Sequence, residues 1–420
     1  MTNNEPSDGR SPHSFLTTPA RSAGLAGTVQ LRAATPDAVL AVIPHMLGFY
    51  PSRSLVVIGL GPRQRVVVTF RYDLPDPADG DIADDIAEHA SCVLSRERIA
   101  GALLVGYGPE ELVLPVAACV ARRLTGDGVD VHEVLRADAG RYWSMLCNDD
   151  RCCPAEGRSY DPGSHPAAAA LTEAGLGAHP DREALARTLQ RPPGSADRIR
   201  RATVTARLRL SQLVDFGEAA GDRVPQLRAT RTGRREVQRA IRRYRSGGSI
   251  NSIEHLAWLA VLIADLRVRD DAWARMDPAH SADHCRLWTD MVRSAAAEFV
   301  PAPASLLAFT AWQAGNGALA VIAIERALAA DRDYSMAHLL DSAVQAALPP
   351  SAARMPMSPA AVAASYATTP TATTTRPRQK RTSGRRRASR ARRGSKSGRS
   401  RSGQPKSGRS KSAVRLGGQG

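Results

Sequence analysis

The sequence predicts an α/β layered domain with a mainly parallel sheet over residues 28–165, an α-helical domain over 166–348, and a disordered basic tail. Three observations predict it. Short apolar runs at Ser54–Leu60, Val66–Tyr72, Gly101–Tyr107 and Val129–Leu135 alternate with amphipathic stretches, the rhythm of strands and covering helices. Past the Pro/Gly loop at Pro154–Pro166 the strand signals stop and helical periodicity takes over. From Pro349 to Thr375 the chain is rich in Pro, Ala and Thr, and from Arg376 to Gly420 in Arg, Lys, Ser and Gly, compositions unable to bury a core.

Residues 1–27 are polar, carry Pro6, Pro12 and Pro19, and read as a disordered N-terminus. Thr35, Pro36 and Asp37 then open a helix: a capping hydroxyl, a residue with no N–H to orphan, and an acid at the positive end. Val39, Val42, Ile43, Met46 and Leu47 recur at helical spacing, Pro44 is expected to bend the run, and Gly48 ends it. Ser54–Leu60 and Val66–Tyr72, separated by Gly61-Pro62, read as neighbouring strands buried on both faces. A helix from the acidic segment Asp76–Glu88 puts Ile82, Ile86, Ala90 and Val93 on one face, and another runs from Pro109 to about Leu124. Arg141–Leu146 reads as one more strand.

In the second half, Ala167–Leu176, Arg182–Gln190 and Ala196–Phe216 are helix candidates. Asn251 with Glu254 resembles a capping box, and Leu256–Ala264 is apolar nearly all round, which marks a central helix ending near Arg269. Pro301–Tyr334 resembles one tetratricopeptide-type hairpin, with Leu307, Ala308 and Ala311 on the first helix, Ala320, Ile324, Ala327 and Leu328 on the second, and Gly315 and Gly317 between. A single copy points to a packed helix pair rather than a peptide-gripping array.

Several separated blocks occur in one order: Pro36–Leu40; Pro44 with Leu47-Gly48-Phe49 and Pro51; Ser54–Val57; Arg71 with Asp73-Leu74-Pro75. Tyr142-Trp143-Ser144 with Cys147 and Cys152-Cys153-Pro154 follow, then Val268-Arg269-Asp270 with Trp273, and Trp312 through Leu340. In these blocks the chain resembles the actinobacterial domain-of-unknown-function family 4192 over roughly residues 30–350. Tyr50 stands where that family's pattern has His or Arg, and Arg332 where Pro is usual. The resemblance implies no activity.

The charge of +16 is concentrated at one end. Arg376–Gly420 holds 17 lysines and arginines and no acid, leaving 40 basic against 41 acidic residues elsewhere. The body is therefore close to neutral, and all four lysines lie in the tail. The N-terminus lacks the apolar core of a signal peptide, and nothing approaches the roughly 18 apolar residues of a membrane span. A cytoplasmic protein is expected, without a membrane partner and with its six cysteines as thiols or metal ligands.

Cys147, Cys152 and Cys153 form the sharpest local constellation: thiolates in one loop can share a zinc ion, with His165 or His132 as a further ligand. Against that, adjacent cysteines rarely reach one tetrahedral metal together, and Asp149 and Asp150 are expected to oppose thiolate formation. The competing reading is a structural turn with cysteines as small buried hydrophobes. Gly106-Tyr107-Gly108 lies where a dinucleotide fingerprint would, but it lacks the third Gly and has Glu110 and Glu111 in the helix's first turn, so it reads as a turn. Asp265, Asp270 and Asp271 could do acid/base or metal work, but an intrahelical pair of Asp265 with Arg269 explains the cluster more simply. His45, His89, His255, His284 and His338 lie on presumed helices without nucleophiles beside them.

Arg228–Arg245 predicts an amphipathic helix with a cationic outer face, either solvated or turned to phosphate or an acidic partner. The tail has no such ambiguity. Arg385, Arg386, Arg387, Arg390, Arg392, Arg393, Lys396, Arg399 and Arg401 are uncompensated cations suited to nucleic acid or another polyanion. No aromatic residue is available there for stacking, so sequence preference should be weak. The expected function is a binding or regulatory protein whose tail engages nucleic acid and whose helical domain can meet a protein partner. Two alternatives stand beside it: an enzyme with a pocket at the sheet's carboxyl edge near Gly106–Pro109 and the Cys147 loop, and a zinc-stabilised structural protein.

Overall fold

The computed structural model describes residues 16–21, 28–33, 35–74, 80–219, 226–349 and 357–368. Among the described residues eight strands form one sheet: β1 (Leu16–Arg21), β2 (Thr28–Ala33), β3 (Ser54–Gly61), β4 (Arg65–Asp73), β5 (Gly101–Tyr107), β6 (Asp130–Asp138), β7 (Arg141–Ser144) and β8 (Arg158–Ser159). Their order is β2-β1-β4-β3-β5-β6-β7-β8. The expected mainly parallel sheet is corrected to a mixed one. Only β5 with β6 and β1 with β4 run parallel; every other neighbouring pair is antiparallel. The turn at Pro62–Gln64 folds β4 back on β3 as a hairpin, and one helical crossover, β5 to β6, supplies a long parallel ladder. Apolar runs alone do not separate these cases, because burial on both faces demands the same residues in either direction. Within the N-terminus expected to be disordered, Leu16–Arg21 is a strand.

Helix α1 (Pro36–Leu47) covers one face of the sheet; α2 (Gly80–Arg96) and α3 (Glu110–Gly126) cover the other. The pleat divides β3 between them: Leu55 and Val57 join the core under α2 and α3, while Val56 and Ile58 join the core under α1. Strand β5 does the same with Leu104 and Leu103. β4 departs from the expectation of burial on both faces: Val68, Phe70 and Tyr72 pack inward, while Val67 is 53% exposed. Thr35 makes no side-chain cap, α1 runs through Pro44, and Gly48 closes it at φ +81.

The helical half comprises α4 (Pro166–Glu173), which packs on α1, then α5 (Arg182–Arg187), α6 (Ala196–Ala219), α7 (Gln226–Arg245), α8 (Ile253–Ile263), α9 (Leu266–Trp273), α10 (Ser281–Ser294), α11 (Pro301–Gln313), α12 (Gly317–Ala330), α13 (Ser335–Gln345) and α14 (Pro359–Thr368). Leu256 through Ile263 are all buried, so α8 is the central helix that its composition predicts. Ser252, not Asn251, caps it, accepting the N–H of His255 at 3.2 Å. α8 ends at Ile263, short of Arg269, because Asp265 caps a new helix, α9. α11, α12 and α13 pack side by side.

The halves interlock within one compact unit. Phe49 belongs to the helical core, and beside it the Tyr50 N–H donates to the His179 carbonyl while the His179 N–H donates to the Gly48 carbonyl. Arg96 at the end of α2 donates to the carbonyls of Ala346 and Ala347, and His89 lies 2.8 Å from the Gln345 carbonyl. Part of the expected Pro/Ala/Thr linker is helix α14, which docks on α9 with Val362 fully buried and Tyr366 donating to Asp270. The basic tail, 376–420, lies outside the described residues. Among the described residues no helix is long and apolar enough to cross a membrane.

Candidate metal centre

Strand β7 delivers the chain to the cysteine loop. Ser144 at its end donates to Glu133 Oε1 at 2.8 Å and accepts the N–H of Cys147 at 3.2 Å, fixing where the loop leaves the sheet. Asp149 then makes the turn: its carboxylate accepts the N–H of Arg151 at 2.9 Å, and its carbonyl accepts the N–H groups of Cys152 at 2.9 Å and Cys153 at 2.7 Å. Side chains of β7 and β8 hold the return limb by its carbonyls. Arg141 donates to Glu156 and Gly157, Trp143 to Ala155, and Arg158 to Arg151 and Cys152. Gly157 takes φ +75, and a Cβ there would stand 2.5 Å from the Trp143 ring, over which the Arg136 guanidinium lies at 3.6 Å from the ring centre.

The result is that the three sulfurs of Cys147, Cys152 and Cys153 lie within 4.8 Å of one another. Three thiolates on one tetrahedral zinc, at Zn–S of about 2.3 Å, would sit about 3.8 Å apart, so the trio needs a contraction of about 1 Å at most. Cys152 is exposed and the other two are partly buried, which corrects the picture of buried cysteines filling a turn. The Asp149 turn brings both neighbouring sulfurs near Cys147. The Cys147 thiol is held below its ordinary pKa, first by the backbone N–H of Asp149 and then by Cys153; the opposing effect of the Asp149 carboxylate is the smaller. The aspartates therefore do not prevent thiolate formation at Cys147. Cys153 is pushed up to about 12 by burial and by the Cys147 sulfur.

Neither histidine joins the trio. His132 stands 3.3 Å from Asp130 and 3.4 Å from Gln64, and His165 caps α4, accepting the Ala167 N–H, with Asp37 at 3.6 Å. Gly106 is a packing position, since a Cβ there would meet Val113 of α3 at 2.1 Å, and Glu110 pairs with Arg136 at 3.5 Å. The two parts of the expected carboxyl-edge pocket attach to β6 at different levels: Gly108 bonds Ala137 near its end, whereas Met145 bonds Val134 further back.

The aspartate cluster is dispersed. Asp265 caps α9 and accepts from Thr230, Asp270 pairs with Arg269 at 2.7 Å, and Asp271 pairs with Arg275 at 2.8 Å. Arg269 thus pairs with its neighbour and not with Asp265. His45, His89 and His338 lie within hydrogen-bond distance of backbone carbonyls, and His284 is buried with its Nε2 unpartnered. Arg228–Arg245 lies within α7, with Val237, Ala240, Ile241 and Tyr244 inward and Arg231, Arg235, Arg239, Arg242 and Arg243 exposed. The nine tail cations from Arg385 to Arg401 lie outside the described residues. Sequence reasoning missed a groove between α6 and α8; its signal was Arg198, Arg201 and Arg209 at spacings that share one helix face.

No curated protein and no solved structure matches this chain. The model of one family does match, over residues 36–351, and that span contains the sheet from β3 onward, the cysteine loop and the helices through α13. The chain belongs to the DUF4192 family, described as a domain of unknown function.

Proposed function

We propose that the chain is a zinc-holding binding protein: Cys147, Cys152 and Cys153 bind one zinc ion as thiolates, and the basic tail attaches the folded body to nucleic acid or another polyanion. The approach of the three sulfurs to within 4.8 Å carries this reading. Thiolates favour zinc among the divalent ions, and three protein ligands leave one position for water or a donor from a partner. The loop's pinned carbonyls support it, because ligands held before binding lose little freedom on meeting the ion. The helical half, with the α11–α12 pair as its tetratricopeptide-like element, would supply the protein-facing surface.

The metal content of the full chain, purified under reducing conditions, tests the zinc site. One zinc per chain is expected, falling below 0.2 in Cys147→Ser and Cys153→Ser; three freely titrating thiols without metal, or a disulfide, overturn it. For the tail, DNA binding is measured across a salt series for the full chain and for one ending at Pro370, beyond α14. Salt-steep affinity that disappears with the tail supports the reading, and equal affinity of the two chains removes it.

A further inference from the structure

Helix α6 places Arg198, Arg201, Thr205 and Arg209 on one face, at i, i+3, i+7 and i+11, a ladder about 16 Å long. Opposite it α8 presents Ser252, Glu254, His255 and Trp258, and Glu236 of α7 lies at the rim. Together they line an open groove of about 670 Å³, in the size range of small-molecule sites.

The groove's acids are already spent. Glu254 accepts two bonds from Arg198, at 2.8 and 3.2 Å, and a third from Ser252 at 2.8 Å; Glu236 pairs with Arg239 at 2.7 Å. Its donors are not. Arg201 is exposed and makes no hydrogen bond or ion pair among the described residues. The Arg209 guanidinium lies 4.4 Å over the Trp258 ring, and the indole N–H of Trp258, a residue only 3% exposed, has no partner. Two uncompensated guanidinium forks select an acceptor-rich anion. Arg201 and Arg209 stand about 12 Å apart along the helix, a separation that two linked phosphates bridge with less side-chain reach than a single carboxylate requires.

We infer that the α6–α8 groove binds a ligand carrying at least two linked phosphates, held by Arg201 and Arg209. This site is independent of the zinc reading. The phosphates belong either to a free organic diphosphate or to a nucleic-acid backbone, and two probes separate these sources.

Calorimetric titration of the full chain with inorganic pyrophosphate, and with a short single-stranded DNA, is the test. Pyrophosphate should bind with one saturable site, weakened about tenfold in Arg201→Ala and further in the Arg201→Ala/Arg209→Ala pair, with Arg332→Ala, an exposed cation outside the groove, unchanged. Because Arg201 is exposed and unpaired, its single variant folds as the parent does, which matching thermal unfolding verifies. If only the DNA depends on Arg201 and Arg209, the source is the nucleic-acid backbone. If neither probe depends on them, or if polyglutamate occupies the groove and pyrophosphate does not, the inference is overturned.

Discussion

The N–H of Cys153 donates to the carbonyl oxygen of Asp149 at 2.7 Å, and that bond turns two adjacent cysteines back toward Cys147. The Asp149 side chain supports the same turn by accepting the N–H of Arg151. Asp149→Ala should therefore leave the fold intact and weaken zinc about fivefold, the worth of one such bond, as read by competition with a chromophoric chelator.

Gly157 is constrained twice, by φ +75 and by the Trp143 ring 2.5 Å from where a Cβ would sit. Gly157→Ala should cost about 2 kcal/mol or more, seen as a lower denaturation midpoint, and should release metal from the loop that Trp143 holds. Gly140→Ala is the control: it also has positive φ, at +74, but its nearest contact is a carbonyl oxygen at 4.0 Å. It should cost less.

The positions of β3 to β7, the α1 boundary at Gly48, the apolar centre of α8 and the cationic face of α7 were legible because each rests on local periodicity, whereas β1, β2 and β8 were not read as strands. Strand direction was not. Leu55 through Ile58 must be apolar whichever way the neighbours run, and direction depends on how far each connection travels. The cysteine trio was legible as a cluster but not as a convergence, because the Asp149 turn and the grip of Arg141, Trp143 and Arg158 on loop carbonyls are tertiary facts. α14 was hidden for another reason: an alanine-rich decapeptide gains stability only by docking, here through Val362 and Tyr366.

His284 on α10 is 1% exposed, and burial holds its pKa down to about 4, with Arg245 and His280 assisting and Asp277 and Asp283 opposing. In the unfolded chain it titrates near the ordinary value of about 6.5, so the unfolded state binds more protons between these limits. Stability should be complete above about pH 6.5 and fall by about 3 kcal/mol as pH drops toward 4. Urea midpoints at a series of pH values check this, and His284→Gln should flatten the slope in that window.

Arg63 and Gln64, in the turn joining β3 to β4, both take positive φ, at +60 and +57. This is the hairpin conformation that asparagine and glycine adopt at least cost. Arg63 is exposed, so Arg63→Asn should raise stability by about 0.5–1 kcal/mol without touching the core, a gain of a few degrees in Tm.

The most direct measurement is X-ray absorption at the zinc edge on the full chain. The account predicts three sulfur neighbours at about 2.3 Å and one lighter atom, with the sulfur count falling in Cys152→Ser. A shell without sulfur, or an undiminished sulfur count in that variant, would contradict it.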